Sequence, residues 1–183
     1  SATSDFKGTL SMAFGEGRVG AVEIVPPLEG WERPDRVPVT DSHKRGVVDP
    51  LSALLMPVAS GDGGVCPRTI PIFDGATRFD VVLSYTGRRN VSRNAYSGEV
   101  TVCSARYVPI SGHRPNRSVT RYMEDNRDMD VWLVPVAGTN VYLPYRISVK
   151  TMIGTTVPQA SRIEMDNAVT ASARKKPKAG STN

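Results

Sequence analysis

Residues 64–81 read GVCPRTIPIFDGATRFDV. A cysteine, two prolines, two arginines and two aspartates in so short a stretch allow either a charged site or one fastened β-hairpin. The apolar runs favour the hairpin. Residues 69–73 and 78–85 flank Asp74-Gly75, and Asp-Gly between apolar runs is a strong hairpin signal. Asp74 then reads as a turn residue that tolerates positive φ and bonds its own backbone. Arg78 and Asp80 stand two apart, on one face of a strand, where they can pair.

Outward from this hairpin the signals stay β. Residues 99–110 read as a long strand containing Cys103, and 130–136 as another, apolar on both faces around Trp132. In 142–157, Tyr145, Ile147 and Val149 alternate with Arg146, Ser148 and Lys150, the pattern of a half-buried antiparallel strand. Residues 161–165 repeat it, with Ile163 and Met165 opposing Arg162 and Glu164. Upstream, Leu10, Met12 and Phe14 fall on alternate positions, Val22 and Ile24 do the same, and 28–46 reads as a long polar loop.

One helix is expected, near residues 50–56. Asp49 can act as N-cap, Pro50 fits the first helical position, and Leu51, Leu54 and Leu55 make one apolar stripe. Two turns are not stable alone, so these leucines are expected to pack on the sheet. The fold class is therefore mainly β: a strongly curved antiparallel sheet, half-barrel or spiral, with one short helix.

Composition narrows the partners. Gly 16 and Pro 14 in 183 residues suit many turns and few long helices, and no apolar run reaches membrane-spanning length. The chain begins at Ser1 without a signal-peptide pattern, which suggests a processed chain or a piece of a longer one. Of the net charge of +5, four cations (Arg174, Lys175, Lys176, Lys178) sit in the last thirteen residues; without them the rest carries +1. A nucleic-acid surface needs its cations on the folded body, so no nucleic-acid partner is expected. Residues 169–183 read as a disordered basic tail, with an electrostatic contact as the alternative.

Cys66 and Cys103 lie 37 positions apart, far from the C-x-x-C spacing of redox or metal sites. With His43 and His113 the only histidines, zinc would need distant ligands. Cys66 precedes the hairpin and Cys103 sits in a later strand, which suits a cross-link between neighbouring strands. Separate buried thiols and a reactive cysteine stay open as alternatives.

Other motifs fail their context. Glu124, Asp125, Asp128 and Asp130 crowd 123–130, but no glycine marks a calcium loop and Arg127 interrupts it. Gly15, Gly17 and Gly20 match G-x-G-x-x-G between two strands rather than before a helix. Ser111-Gly112-His113 has no orienting acid, and no G-x-S-x-G elbow is present. Asn90 and Asn116 are formal glycosylation acceptors, which matter only in a eukaryotic secreted protein.

Several segments together resemble an exported Gram-negative bacterial family, the domain of unknown function 3108. They are VVDPLSALL (47–55), CPRTIPIFDGATRFDV (66–81), YSGEVTVCSARYVPISG (96–112), MDVWLVPV (129–136) and YLPYRISVKTMIGTTV (142–157). The resemblance runs over about residues 18–165. It implies a Cys66–Cys103 disulfide formed in the periplasm, and residues 1–168 as one β-rich periplasmic domain, the C-terminal part of a larger family domain whose first strands are missing here. At the level of fold it is similar to half-barrel envelope-integrity proteins and periplasmic lipoprotein carriers. No catalytic, metal or cofactor residue comes with it.

The resulting expectation is a non-enzymatic envelope-maintenance protein binding a lipid, glycan or peptide on a concave sheet face. The runner-up is a cell-wall polymer hydrolase using Asp74, Asp80 or the acids of 124–130. A structural scaffold binding a protein partner at an edge strand is the third reading.

Overall fold

Asp74 and Gly75 make the expected turn. Asp74 Oδ1 accepts from the backbone N–H of Ala76 (2.8 Å) and Thr77 (2.6 Å), and Gly75 has φ 93°. The turn is also braced from outside: Gly112, at φ 78°, lies so close that a Cβ there would sit 2.1 Å from Ala76 O. Only glycine fits. Two strands run from this turn, β4 (Arg68–Phe73) and β5 (Arg78–Arg93), in antiparallel register with Ile70 opposite Val81.

The computed structural model describes residues 9–15, 18–25, 34–58, 64–93 and 96–160. Before the central hairpin come β1 (Thr9–Gly15), β2 (Arg18–Val25) and β3 (Met56–Pro57); after it come β6 (Tyr96–Ser111), β7 (Met129–Pro135), β8 (Val141–Thr151) and β9 (Gly154–Thr156). The sheet order is β3-β8-β7-β6-β5-β4, with β9 also on β8. This antiparallel seven-stranded sheet curls into a half-barrel, as the strand pattern predicts. Strands β1 and β2 form a separate hairpin, from which Met12, Val19 and Val22 pack with Val39, Val47 and Phe73.

Both faces of the sheet are covered. Leu133 and Val134 are neighbours on β7, so they point to opposite faces, and both are fully buried. On the inner face Leu83, Cys103, Val131 and Leu133 pack with Met56 and Val65. On the outer face Val100, Val102, Val134 and Tyr145 pack under Val91, Tyr96 and Leu143. That is the physical meaning of the apolar run around Trp132.

Three expectations are corrected. The helix near 50–56 is a single 3-10 turn, Ser52–Leu54, and its leucine stripe is not a core stripe: Leu51 and Leu55 are 77% and 58% exposed, while Ala53 and Met56 are buried. Asp49 does act as the cap, accepting from the N–H of Leu51 (2.9 Å) and Ser52 (3.0 Å) and from the Ser52 hydroxyl. Beyond Leu54 the chain turns extended so that Met56 can pair with Tyr142 on β8, and strand pairing prevails over a helix too short to hold itself.

Next, α1 (Ser118–Asp125) stands in a segment for which the sequence predicts no helix. The signal was present: Val119, Tyr122 and Met123 fall at i, i+3 and i+4. Asn126 then docks the helix end, its side-chain amide donating to Lys150 O (2.7 Å) while its Oδ1 accepts from Asp128 N–H (2.8 Å). Finally, the strand read across 142–157 is broken by a turn at Met152–Ile153 into β8 and β9. The strand expected at 161–165 and the tail 169–183 lie outside the described residues.

Candidate functional site: an apolar cavity inside the half-barrel

Residues 48–57 are anchored at opposite sides of the sheet. Val48 bridges Ile72 on β4, with Val48 N–H donating to Pro71 O (2.9 Å) and Phe73 N–H to Val48 O (3.0 Å). At the other end Met56 and Pro57 pair with Tyr142 and Val141 of β8. The intervening 49–55 therefore crosses the opening of the half-barrel as a strap. Under it lies a cavity of about 250 Å³.

The cavity wall is almost entirely apolar. Ile70, Val81, Leu83 and Val131 come from the sheet, Ala53 and Leu54 from the strap. Three of the chain's six methionines reach it: Met56 from β3, Met123 from α1 and Met129 from β7. Unbranched thioether side chains adapt to irregular contents better than branched ones. Arg106, Asp130 and Ser148 also border the space. Cys103, Val131 and Ile147 are their inward-facing neighbours or near neighbours along the strands, so the alternation turns these three polar side chains outward and their backbone does the lining.

Tyr107 is the one polar-tipped ring at the wall. It packs against Phe79 with ring centroids 5.1 Å apart. Burial, helped by the negative charges of Asp74 and Glu124, pushes its phenol above the ordinary 10.0, so it is a neutral hydroxyl at physiological pH. The disulfide between Cys66 and Cys103, with Cα atoms 6.4 Å apart, ties the segment before β4 to the middle of β6. Both cysteines are buried in the inner cluster that floors the cavity.

The acids considered for hydrolysis are not brought together here. Asp74 is occupied by its turn. Arg78 Nη1 lies 2.6 Å from Asp80 Oδ1, a Coulombic pair in which no donor is well aligned on that oxygen. Glu124 and Asp125 are exposed on α1, Asp128 pairs with Lys150 (2.8 Å), and Asp130 accepts from the Trp132 indole N–H (2.9 Å). Among the described residues no three His, Cys, Asp or Glu side chains are grouped to hold a metal ion. His43 sits in a 3-10 turn, Asp41–Lys44, where its Nδ1 accepts from Thr40 N–H (3.1 Å). The carbonyl of His113 takes the Val37 N–H (2.9 Å). Asn90 and Asn116 are both exposed.

Residues 3–159 match the profile of the family described as "Protein of unknown function (DUF3108)". The chain belongs to this family. The DUF3108 match begins before β1 and includes every residue that lines the cavity, so the strap, the disulfide and α1 all lie within the family region. No curated protein and no solved structure matches the chain. None of the described helices is long and apolar enough to cross a membrane.

Sequence reasoning found the strands that build the cavity but not the cavity itself. Its lining comes from positions as far apart as Pro50 and Val149, and no single segment carries its signature.

Proposed function

We propose that this DUF3108 domain is a non-catalytic binding protein of the bacterial envelope that holds one apolar chain, such as the acyl chain of a lipid, inside its half-barrel. The observation that carries this reading is the almost wholly apolar cavity of about 250 Å³ under the 48–57 strap. Of the three ligand classes considered, a glycan would leave its hydroxyls without partners against such a wall, at a cost for every one. A peptide backbone meets the same difficulty. A hydrocarbon chain does not.

Size sets the scale. An engineered apolar cavity of ~150 Å³ accepts a six-carbon ring, so 250 Å³ corresponds to roughly ten carbons. At ~0.8 kcal/mol per methylene, burying that chain yields about 8 kcal/mol before any cost of association. The affinity for the chain alone is then weaker than about 1 μM, suited to carrying or sensing rather than permanent storage. An exported location is supported by the buried Cys66–Cys103 bridge, since disulfides persist in oxidising compartments such as the periplasm.

The test is native mass spectrometry of protein exported to, and gently purified from, a bacterial periplasm, with Ala105→Phe as the filled-cavity comparison. The expected spectrum carries excess mass of a lipid in the wild type and none in the folded variant. Wild-type protein at its bare chain mass that also fails to bind decanol in solution would overturn the reading.

A further inference from the structure

Beside the apolar cavity runs a second pocket of about 350 Å³, between the strap and the edge strand β4. The two share three wall residues, Ala53, Met56 and Ile70, so they adjoin across a partition one side chain thick. Their chemistry differs. The outer pocket has polar as well as apolar walls, bordered by Ser52, Thr69 and Arg68 beside Leu55 and Pro67. Arg68 is the one charged residue among those that line it, and it lines no part of the inner cavity.

Resting on the reading of the cavity as a chain-binding site, we infer that the two pockets form one amphiphilic site whose ligand is a single-chain amphiphile with an anionic head: chain in the inner cavity, head in the outer pocket against Arg68. Arg68 is placed for it. One Nη donates to Pro57 O (2.9 Å), which fixes the side chain across the strap, and Arg68 enters no ion pair with the described residues. A guanidinium presents five donors in a fixed fork, so one bond to a carbonyl leaves the rest available to a carboxylate or phosphate. Ser52 and Thr69 border the same pocket. A diacyl lipid is excluded by volume, because about 250 Å³ holds only one medium-length chain.

The partition also names the moving part. Ala53 belongs to the free span of the strap, whereas Met56 is held at its anchored end; among the described residues the hydrogen bonds of the free span are those of its own turn, around Asp49. Lifting 50–55 away from Ile70 merges the pockets without breaking the sheet.

Isothermal titration with three amphiphiles of one chain length, each below its micelle concentration, tests this on the oxidised wild type and on Arg68→Gln. Decanol probes the chain alone, decanoate a carboxylate head and decyl phosphate a phosphate head. The expected result is that both anions bind the wild type about tenfold more tightly than decanol, and that Arg68→Gln removes this advantage while leaving decanol unchanged. Whichever anion gains more identifies the head chemistry. If decanol binds but the anions gain nothing, the chain site stands and the head site is overturned. A loss of decanol binding in Arg68→Gln equal to that of the anions also overturns it, because Arg68 then holds the strap rather than the head. No binding of any of the three defeats the cavity reading itself.

Discussion

The two faces of one sheet have been packed to different ends. The outer face around Val100, Val102, Val134 and Tyr145 is closed: Tyr96 leans on Tyr145 with centroids 6.3 Å apart, and Trp132 lies under the guanidiniums of Arg146 (4.9 Å) and Arg89 (5.6 Å). The inner face has the same kind of strand residues at the alternate positions, yet encloses about 250 Å³. Curvature makes the difference. Side chains on the outer face of a curled sheet diverge, and here they are covered by aromatics and arginine stems. Those on the inner face converge on a lumen that a short strap spans but its small Ala53 does not fill. Interiors are normally packed without voids larger than a water, so a space this large lined by methionine reads as room kept for a guest.

The strongest way to break this comparison is to remove the clamp beneath the cavity. The Cys66–Cys103 bridge closes a loop of 37 residues, which in the chain-entropy account corresponds to about 4 kcal/mol. The double variant Cys66→Ala/Cys103→Ala should lose that much in urea unfolding, and dithiothreitol should have the same effect on the wild type but none on the variant. A loss below about 1 kcal/mol would mean that packing alone holds the inner cluster.

Adding volume sharpens the contrast more directly. Val100→Leu places an extra methylene into the closed outer face and should cost about 1–3 kcal/mol, the usual penalty of overpacking. Ala105→Leu, on the cavity wall, should cost less than about 1 kcal/mol because its added carbons have somewhere to go. Equal costs in chemical denaturation would show that the inner face is as tightly filled as the outer.

The smallest effect concerns the strap. The hydroxyl of Ser52, together with the N–H groups of Ser52 and Leu51, holds the Asp49 carboxyl below its ordinary 3.8. A depressed folded value means that the bonds of this cap are present above the unfolded value and are lost as the pH falls through the folded one. The amide resonances of Leu51 and Ser52 should therefore move together at a midpoint below pH 3.8, and Asp49→Asn should abolish that transition. Since Asp49 is well solvated, global stability should hardly follow. A midpoint at or above 3.8 would remove the cap from the account of how the strap is held.

Much of the fold was legible because strand pairing is a local and periodic matter. Asp74-Gly75 announced its hairpin, but the alternation in 142–150 holds only in part: an irregularity opposite Trp132 and Leu133 sends Tyr145 to the outer cluster, while Ile147, two residues on, stays with the inner one. Where the reading failed, a distant partner decided. Leu51, Leu54 and Leu55 make a convincing apolar stripe, but the strap is drawn extended by pairing with β8, and two of the three leucines end in solvent. The segment before β7 is full of acids and carries no helix expectation, and only the buried Asn126, bonded to Lys150 across 24 residues, shows why a helix docks there.

By itself, then, the sequence determined that this chain is a curled antiparallel β domain, since period-two patterns and turn residues are properties of neighbours along the chain. The tertiary structure alone decided that the sheet's inner face stays partly unfilled, that the strap crosses it, and that Arg68 stands at its outer rim. A cavity is a shortfall of side-chain volume among residues from Pro50 to Val149, and a shortfall is defined only once those residues have been brought together.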